Sequence, residues 1–234
     1  MNIAIIPARG GSKRIPRKNI KDFCGQPIIA YSIQAAQKSE LFDRIIVSTD
    51  DEKIAEVSRH YGAEIPFMRP KELADDYSGT NAVVSHCLEW LREKNQESEI
   101  ACCIYATAPL LQPEYLKKGF EILKNEQCTF AFSVTSYAFP IQRSVRIRSN
   151  GYIEPIFPED IPKRSQDLED AYHDAGQFYW GKAESFFVDR PLFSSRSSPI
   201  ILPRYLVQDI DTLEDWHRAE LMFKVCQKAG AVIS

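Results

Sequence analysis

Four short runs, "NIAII" from residue 2, "RIIVST" from 44, "IACCIY" from 100 and "FAFSVT" from 130, are apolar on consecutive positions rather than on alternate ones. A strand of that kind must be covered on both faces, which is the situation of a mostly parallel sheet inside an α/β protein. The covers lie between the runs. "PIIAYSIQAAQKS" has apolar positions at helical spacing behind a proline suited to the first turn, and "DDEKIAEVSRHYG" has an acidic first turn and Gly62 as its stop. "TNAVVSHCLEWLREK" and "PEYLKKGFEILKN" repeat the helical pattern. The expected fold is therefore α/β and Rossmann-like: a mostly parallel sheet with helices on both faces.

The alternation stops near residue 137. Residues 137–190 are rich in proline, arginine and aromatics, and "RIRSNGYIE" has the form of a hairpin on an Asn150-Gly151 turn. The expected organisation is a core of residues 1–136 and 191–234 with a small β-rich subdomain, 137–190, inserted into it. The core resumes at "PIILP". It closes with "DTLEDWHRAELMFKVCQKAG", an amphipathic helix with apolar positions Leu213, Trp216, Leu221, Met222 and Val225.

Composition narrows the function. The 234 residues can bury a full core, and 29 Lys+Arg against 32 Asp+Glu leave a net charge of -3, which disfavours nonspecific nucleic-acid binding. No apolar run approaches the roughly 20 residues of a membrane span, so no membrane partner is expected. The six cysteines have no C-x-x-C spacing, and Cys102 and Cys103 would face opposite sides of one strand. A reducing, cytoplasmic setting is expected.

The first strand runs into "ARGGSKRIPRKN", the place where an α/β sheet usually takes phosphate. Gly10 and Gly11 can turn successive N–H groups into one concavity, and Arg9 and Lys13 add charges that pair with a polyphosphate. A solvated basic loop is the plainer alternative. The loop is neither G-x-x-x-x-G-K-[ST] nor G-x-G-x-x-G, which disfavours the common ATPase and dehydrogenase readings. "GQFYWGKA" has the former spacing, but Ala183 replaces the required hydroxyl and the four bulky residues between the glycines point to a strand.

A metal on a polyphosphate needs hard oxygen ligands, and two aspartate pairs compete for it. Asp50 and Asp51 are adjacent, would diverge on a strand, and are better placed to cap the following helix. In "VQDIDTLEDW" Asp209 and Asp211 are two apart and face the same way on an extended segment. Asp211 with Glu214, or Thr212 with Asp215, also has capping-box spacing. Arg69 before Pro70 is either a ligand contact or a surface arginine. Ser12 and Asn19 either bind the ligand or shape turns. In the insertion, Arg143, Arg146, Lys163, Arg164 and His173 supply cations, and Tyr172, Phe178, Tyr179 and Trp180 form either a ligand surface or a core. His60, His86 and His217 lie on helices as structural or solvated residues.

With "IPARGGSKRIPRKNI" after the first strand and "QDIDTLEDW" near the end, the chain resembles the cytidylyltransferases that activate nonulosonic acids, the sialic acid and Kdo relatives. The resemblance runs nearly end to end and implies a sheet of the nucleotide-diphospho-sugar transferase type. It implies that CTP is bound by Ala8, Arg9, Gly10, Gly11, Ser12, Lys13 and Asn19, with Arg69 and Thr80, and that Asp209 and Asp211 hold Mg2+. Arg9, Lys13, Asp209 and Asp211 would be the catalytic residues. Tyr105, Arg164, His173, Gln177 and Tyr179 would bind an acidic nine-carbon sugar, and the insertion would form a homodimer.

Two departures concern the sugar. "YATAP" puts Tyr105 where sialic acid enzymes have a glutamine, and "HDAGQFY" replaces roughly "RPNGAIY", with His173 at an arginine. The stretch "RSQDLEDAYHDAGQFYWG" resembles the pseudaminic acid branch of the family. The implied reaction is attack of the sugar's anomeric hydroxyl on the α-phosphorus of CTP, giving a CMP-sugar and pyrophosphate. No side chain identifies itself as a general base, and a hydroxyl acidified by the metal would serve instead. Sialic, legionaminic and Kdo acids are the rival substrates; a noncatalytic nucleotide sensor and a nucleic-acid-binding module are the rival functions.

Overall fold

The structure is a computed structural model that describes residues 1–74, 79–125 and 127–231. The chain runs β1 (Asn2–Pro7), a two-residue ladder of β2 (Asp22–Phe23) and β3 (Gln26–Pro27), α1 (Ile28–Ser39), β4 (Arg44–Ser48), α2 (Glu52–His60), α3 (Thr80–Glu93), β5 (Ile100–Ile104), α4 (Pro113–Asn125) and β6 (Phe130–Ser136). It continues through β7 (Val145–Ile147), β8 (Ile153–Pro155), β9 (Tyr172–Lys182), α5 (Ala183–Phe187), β10 (Ser197–Ile201) and α6 (Leu213–Lys228). Among the described residues no helix is long and apolar enough to cross a membrane.

Six strands form one sheet in the order β10-β6-β9-β5-β1-β4, with β9 antiparallel to both neighbours and the other pairings parallel. The four apolar runs are thus strands of a sheet buried on both faces. Cys102 belongs to the core on one face and Cys103 to the core on the other, as the one-residue alternation of a strand requires. After β1 the chain turns to β4 on one side and then crosses to β5 on the other. The resulting crevice at the carboxyl ends of β1 and β5 is the usual ligand position in such a sheet.

Two expectations change. The insertion does not extend to residue 190, because β9 fills the gap between β5 and β6 and α5 packs on α3. The reason is bulk: Phe178 and Trp180 face one core while Tyr179 faces the other. Trp180 Nε1 also donates to the Leu116 carbonyl at 3.1 Å. What stands outside the sheet is the segment before β9, with the β7–β8 hairpin turning at Gly151, whose φ of 82° suits glycine. "GQFYWGKA" is a strand, as its bulky residues indicate.

The last helix is rotated from its expected setting. Trp216, Ala219, Phe223 and Cys226 are buried, while Leu213, Leu221 and Val225 are 63%, 52% and 66% exposed. Phe223 and Trp216 each meet Phe23 edge-to-face, with centroids 5.6 and 5.4 Å apart, and these large rings set the buried face.

Candidate active site

A cavity of about 650 Å³ opens at the ends of β1 and β5. Arg9, Ser12, Lys13, Arg14, Lys18 and Asn19 line it from the first loop, Arg69 and Thr80 from the next connection, Tyr105 from the end of β5, and Asp211 from the segment before α6. Thr80 is the first residue of α3, so the positive end of that helix also reaches the cavity.

The first loop is held from behind. The Ala8 N–H donates to the Ser48 carbonyl at 2.9 Å and the Gly10 N–H to Asp50 Oδ1 at 2.9 Å. Asn19 is buried, and its Nδ2 donates to the Arg9 carbonyl at 2.9 Å, so it shapes the loop as well as lining the cavity. Ala8, Gly10 and Gly11 carry this backbone but do not themselves line the cavity. Neither glycine has a positive φ. Gly10 is required for space instead: a Cβ there would lie 2.9 Å from Asp51 Oδ2 and 3.0 Å from Asp51 Cβ. Asp51 cannot readily yield, since it caps α2 through the N–H groups of Lys53 and Ile54 and is paired with Arg17 at 3.0 Å. Of the adjacent pair, Asp51 caps α2 as expected, whereas Asp50 braces the first loop instead of the helix.

Arg69 is a buried cation at the cavity wall. Its Nε donates to Ser48 Oγ at 3.1 Å and its Nη2 to the Ser48 carbonyl. Burial draws its pKa down, and the Arg9 charge adds to this against the opposing pull of Asp50. Among the described residues both hydrogen bonds of its side chain go to Ser48, so a buried positive charge stands at the cavity wall, a setting suited to an anion.

Around Asp209 and Asp211 the side chain of Ile210 is fully buried, so the two aspartates flank an anchored residue. Lys18 Nζ donates to the Ile210 carbonyl at 2.6 Å and lies 3.6 Å from Asp211 Oδ1, while Arg14 Nη1 lies 3.0 Å from Asp211 Oδ2. The capping box of α6 belongs to Thr212 and Asp215, which relieves Asp211 of that duty. The pKa of Asp209 is raised, first by the protein packed around it and then by the Asp211 charge. Asp211 lines the cavity and Asp209 does not, so Asp211, with Asp209 two residues before it, is the carboxylate placed to meet a hard divalent ion. Among the described residues no group of three or more metal-ligating side chains converges, so a ligand's phosphates and water would complete its shell. Lys18 and Arg14 of the first loop belong to this arrangement.

The expected sugar residues are less united. Tyr105 lines the cavity. Tyr179 lies behind it, 3% exposed, with ring centroids 5.2 Å apart. Gln177 is buried, its Nε2 donating to the Leu206 carbonyl. His173 Nδ1 is 2.8 Å from the Asp174 carbonyl, and its ring packs on Tyr137. Arg164 is exposed and paired with Asp167 at 2.8 Å. Arg164, His173, Gln177 and Tyr179 thus do not line this cavity. Asp174 was not singled out from sequence; its spacing two residues before Gly176, the pattern of a side chain closing onto a following N–H, was the available signal.

Residues 3–228 match the profile of the family described as Cytidylyltransferase. The chain belongs to that family. This cytidylyltransferase is 47% identical over 224 residues to the pseudaminic acid cytidylyltransferase of Campylobacter jejuni, covering 96% of this chain and 97% of that one. It is 30% identical over 229 residues to the CMP-N,N'-diacetyllegionaminic acid synthase of Legionella pneumophila, covering 97% and 98%. Its fold matches a solved CMP:2-keto-3-deoxy-manno-octonic acid synthetase complexed with CTP, with a TM-score of 0.69 at 15% identity over 95% of this chain and 98% of that one. That likeness supports the α/β architecture read from the apolar runs.

Proposed function

We propose that this cytidylyltransferase joins CMP from CTP to the anomeric hydroxyl of pseudaminic acid and releases pyrophosphate. The observation that carries the reading is the cavity in which Arg9, Lys13 and Arg69 stand with Asp211, an anion-binding wall beside a carboxylate suited to a metal. The Campylobacter jejuni relative and the "HDAGQFY" stretch support pseudaminic acid over sialic or legionaminic acid.

The anomeric oxygen forms a bond to the α-phosphorus, the bond to the bridging oxygen of the β-phosphate breaks, and the hydroxyl proton leaves to solvent. Alignment and charge stabilisation supply most of the rate in a transfer of this type. Arg9, Lys13 and Arg69 bind the triphosphate and offset charge gathering on the departing pyrophosphate. Gly10, fixed to Asp50, and Asn19, fixed to the Arg9 carbonyl, keep those cations in position. Asp209 and Asp211 would hold Mg2+, with Lys18 fixing the backbone between them. When bound, the ion supplies further positive charge to the phosphates.

A homodimer through the insertion is part of the reading, with the partner surface meeting Arg164 and the sugar. It is supported by the exposure of Phe139, Ile147 and Tyr152 at 82%, 78% and 74%, an apolar surface in need of a cover. Six free thiols support a cytoplasmic setting. The test is pyrophosphate release with CTP, Mg2+ and a panel of pseudaminic, legionaminic, sialic and Kdo acids. Release with pseudaminic acid at the highest kcat/KM is expected, and preference for another acid would overturn the substrate assignment. Arg164→Ala should raise KM for the acid and leave KM for CTP; an unchanged acid KM would remove Arg164 from the site.

A further inference from the structure

The strand β4 is apolar at Ile45, Ile46 and Val47 and then ends on Ser48, which is fully buried with them. A hydroxyl in that place needs a partner. It has one in Arg69, whose Nε donates to Ser48 Oγ at 3.1 Å while Nη2 donates to the Ser48 carbonyl. A guanidinium carries donors and no acceptor, so the sense of both bonds is fixed.

Two bonds from one edge of a planar group to one residue hold its plane as well as its place. The Nε–Nη2 edge is taken by Ser48, and Nη1 lies on the opposite side of the guanidinium. The same strand end holds the backbone around it: the Arg69 N–H donates to the Thr49 carbonyl at 2.7 Å. The first loop is tied there too, through the Ala8 N–H to the Ser48 carbonyl and the Gly10 N–H to Asp50 Oδ1. Among the described residues the Ser48 carbonyl thus serves both the loop and Arg69, whereas its hydroxyl serves Arg69 alone. Ser48 itself does not line the cavity.

We propose that Ser48 is a positioning residue whose hydroxyl fixes the plane of the Arg69 guanidinium at the cavity wall, so that CTP meets an oriented donor rather than a loose charge. The inference rests on the CTP binding proposed above. It explains why a polar side chain stands at the buried end of an apolar strand.

The test is equilibrium titration with CTP and Mg2+ in the absence of any acid, so that no turnover occurs. Ser48→Ala removes the hydroxyl and keeps the carbonyl, and it should raise the Kd for CTP about tenfold. With whichever acid of the panel the wild type turns over, KM for the acid should stay within about twofold. In an Arg69→Met background Ser48→Ala should change the CTP Kd by no more than about twofold, because the group it orients is gone. Arg69→Lys keeps the charge and loses the planar fork, so it should also weaken CTP about tenfold, and it serves if Ser48→Ala folds poorly. An unchanged CTP Kd in Ser48→Ala, a loss that persists in the Arg69→Met background, an equal rise in the acid KM, or full CTP affinity in Arg69→Lys would overturn the inference. A wild type that binds no CTP would instead overturn the function on which it rests.

Discussion

Arg14 Nη1 lies 3.0 Å from Asp211 Oδ2, joining the loop after the first strand to the segment before the last helix across 197 positions of the chain. The pair is exposed, so it contributes about 1 kcal/mol or less to stability. The pair holds a carboxylate beside the basic first loop, where the proposed function needs a metal next to phosphate. Asp211→Asn should reduce kcat by about 100-fold or more while the urea midpoint stays near that of the wild type. Normal pyrophosphate release by the variant would remove Asp211 from the reaction.

The two loop glycines should separate cleanly. Gly10→Ala places a methyl group against Asp51, which cannot move without disturbing the α2 cap, and should cost about tenfold to hundredfold in kcat/KM for CTP. A Cβ at Gly11 meets nothing within 4 Å, so Gly11→Ala should stay within about twofold of wild type. Equal losses at both positions would point to backbone freedom, rather than space, as the reason for the pair.

Thr212 and Asp215 cap α6, so Thr212→Ala should cost about 1 kcal/mol in chemical unfolding with activity retained at moderate temperature. The Asp215 pKa is lowered, first by the Thr212 hydroxyl and then by the N–H groups of Thr212 and Asp211. A depressed carboxyl stabilises the fold above its unfolded pKa of about 4, and that contribution is lost as pH falls through the folded value. Unfolding measured at pH 3 and pH 7 should show a smaller acid loss in Asp215→Asn than in wild type.

The setting of α6 predicts opposite outcomes for two apolar residues two positions apart. Phe223→Ala removes a buried ring and should cost about 3–5 kcal/mol, whereas Leu221→Ser changes an exposed position and should stay within about 0.5 kcal/mol. Comparable losses in thermal or urea unfolding would mean that Leu221 is covered, by a second copy of the chain for example.

Much of this protein is written in local pattern. Runs such as "IACCIY" can only be strands buried on both faces, and the helical stretches between them can only be their covers. Asp211 and the cations of "ARGGSKR" after the first strand are equally local, which is why these residues that line the cavity could be singled out in advance. Three features depended on which distant surfaces met. The strand β9 enters the middle of the sheet because its bulky residues fill both cores, a fact its sequence neighbours do not encode. The buried side of α6 was chosen by Phe23, roughly 200 residues away in the chain. The division of labour among the acids was decided by which groups the fold set beside each: Asp51 caps α2 and meets Arg17, Asp50 takes the Gly10 N–H, Asp211 faces the cavity and Asp174 accepts from the Tyr179 hydroxyl. Periodicity reports what one segment must bury; only packing reports what it is buried against.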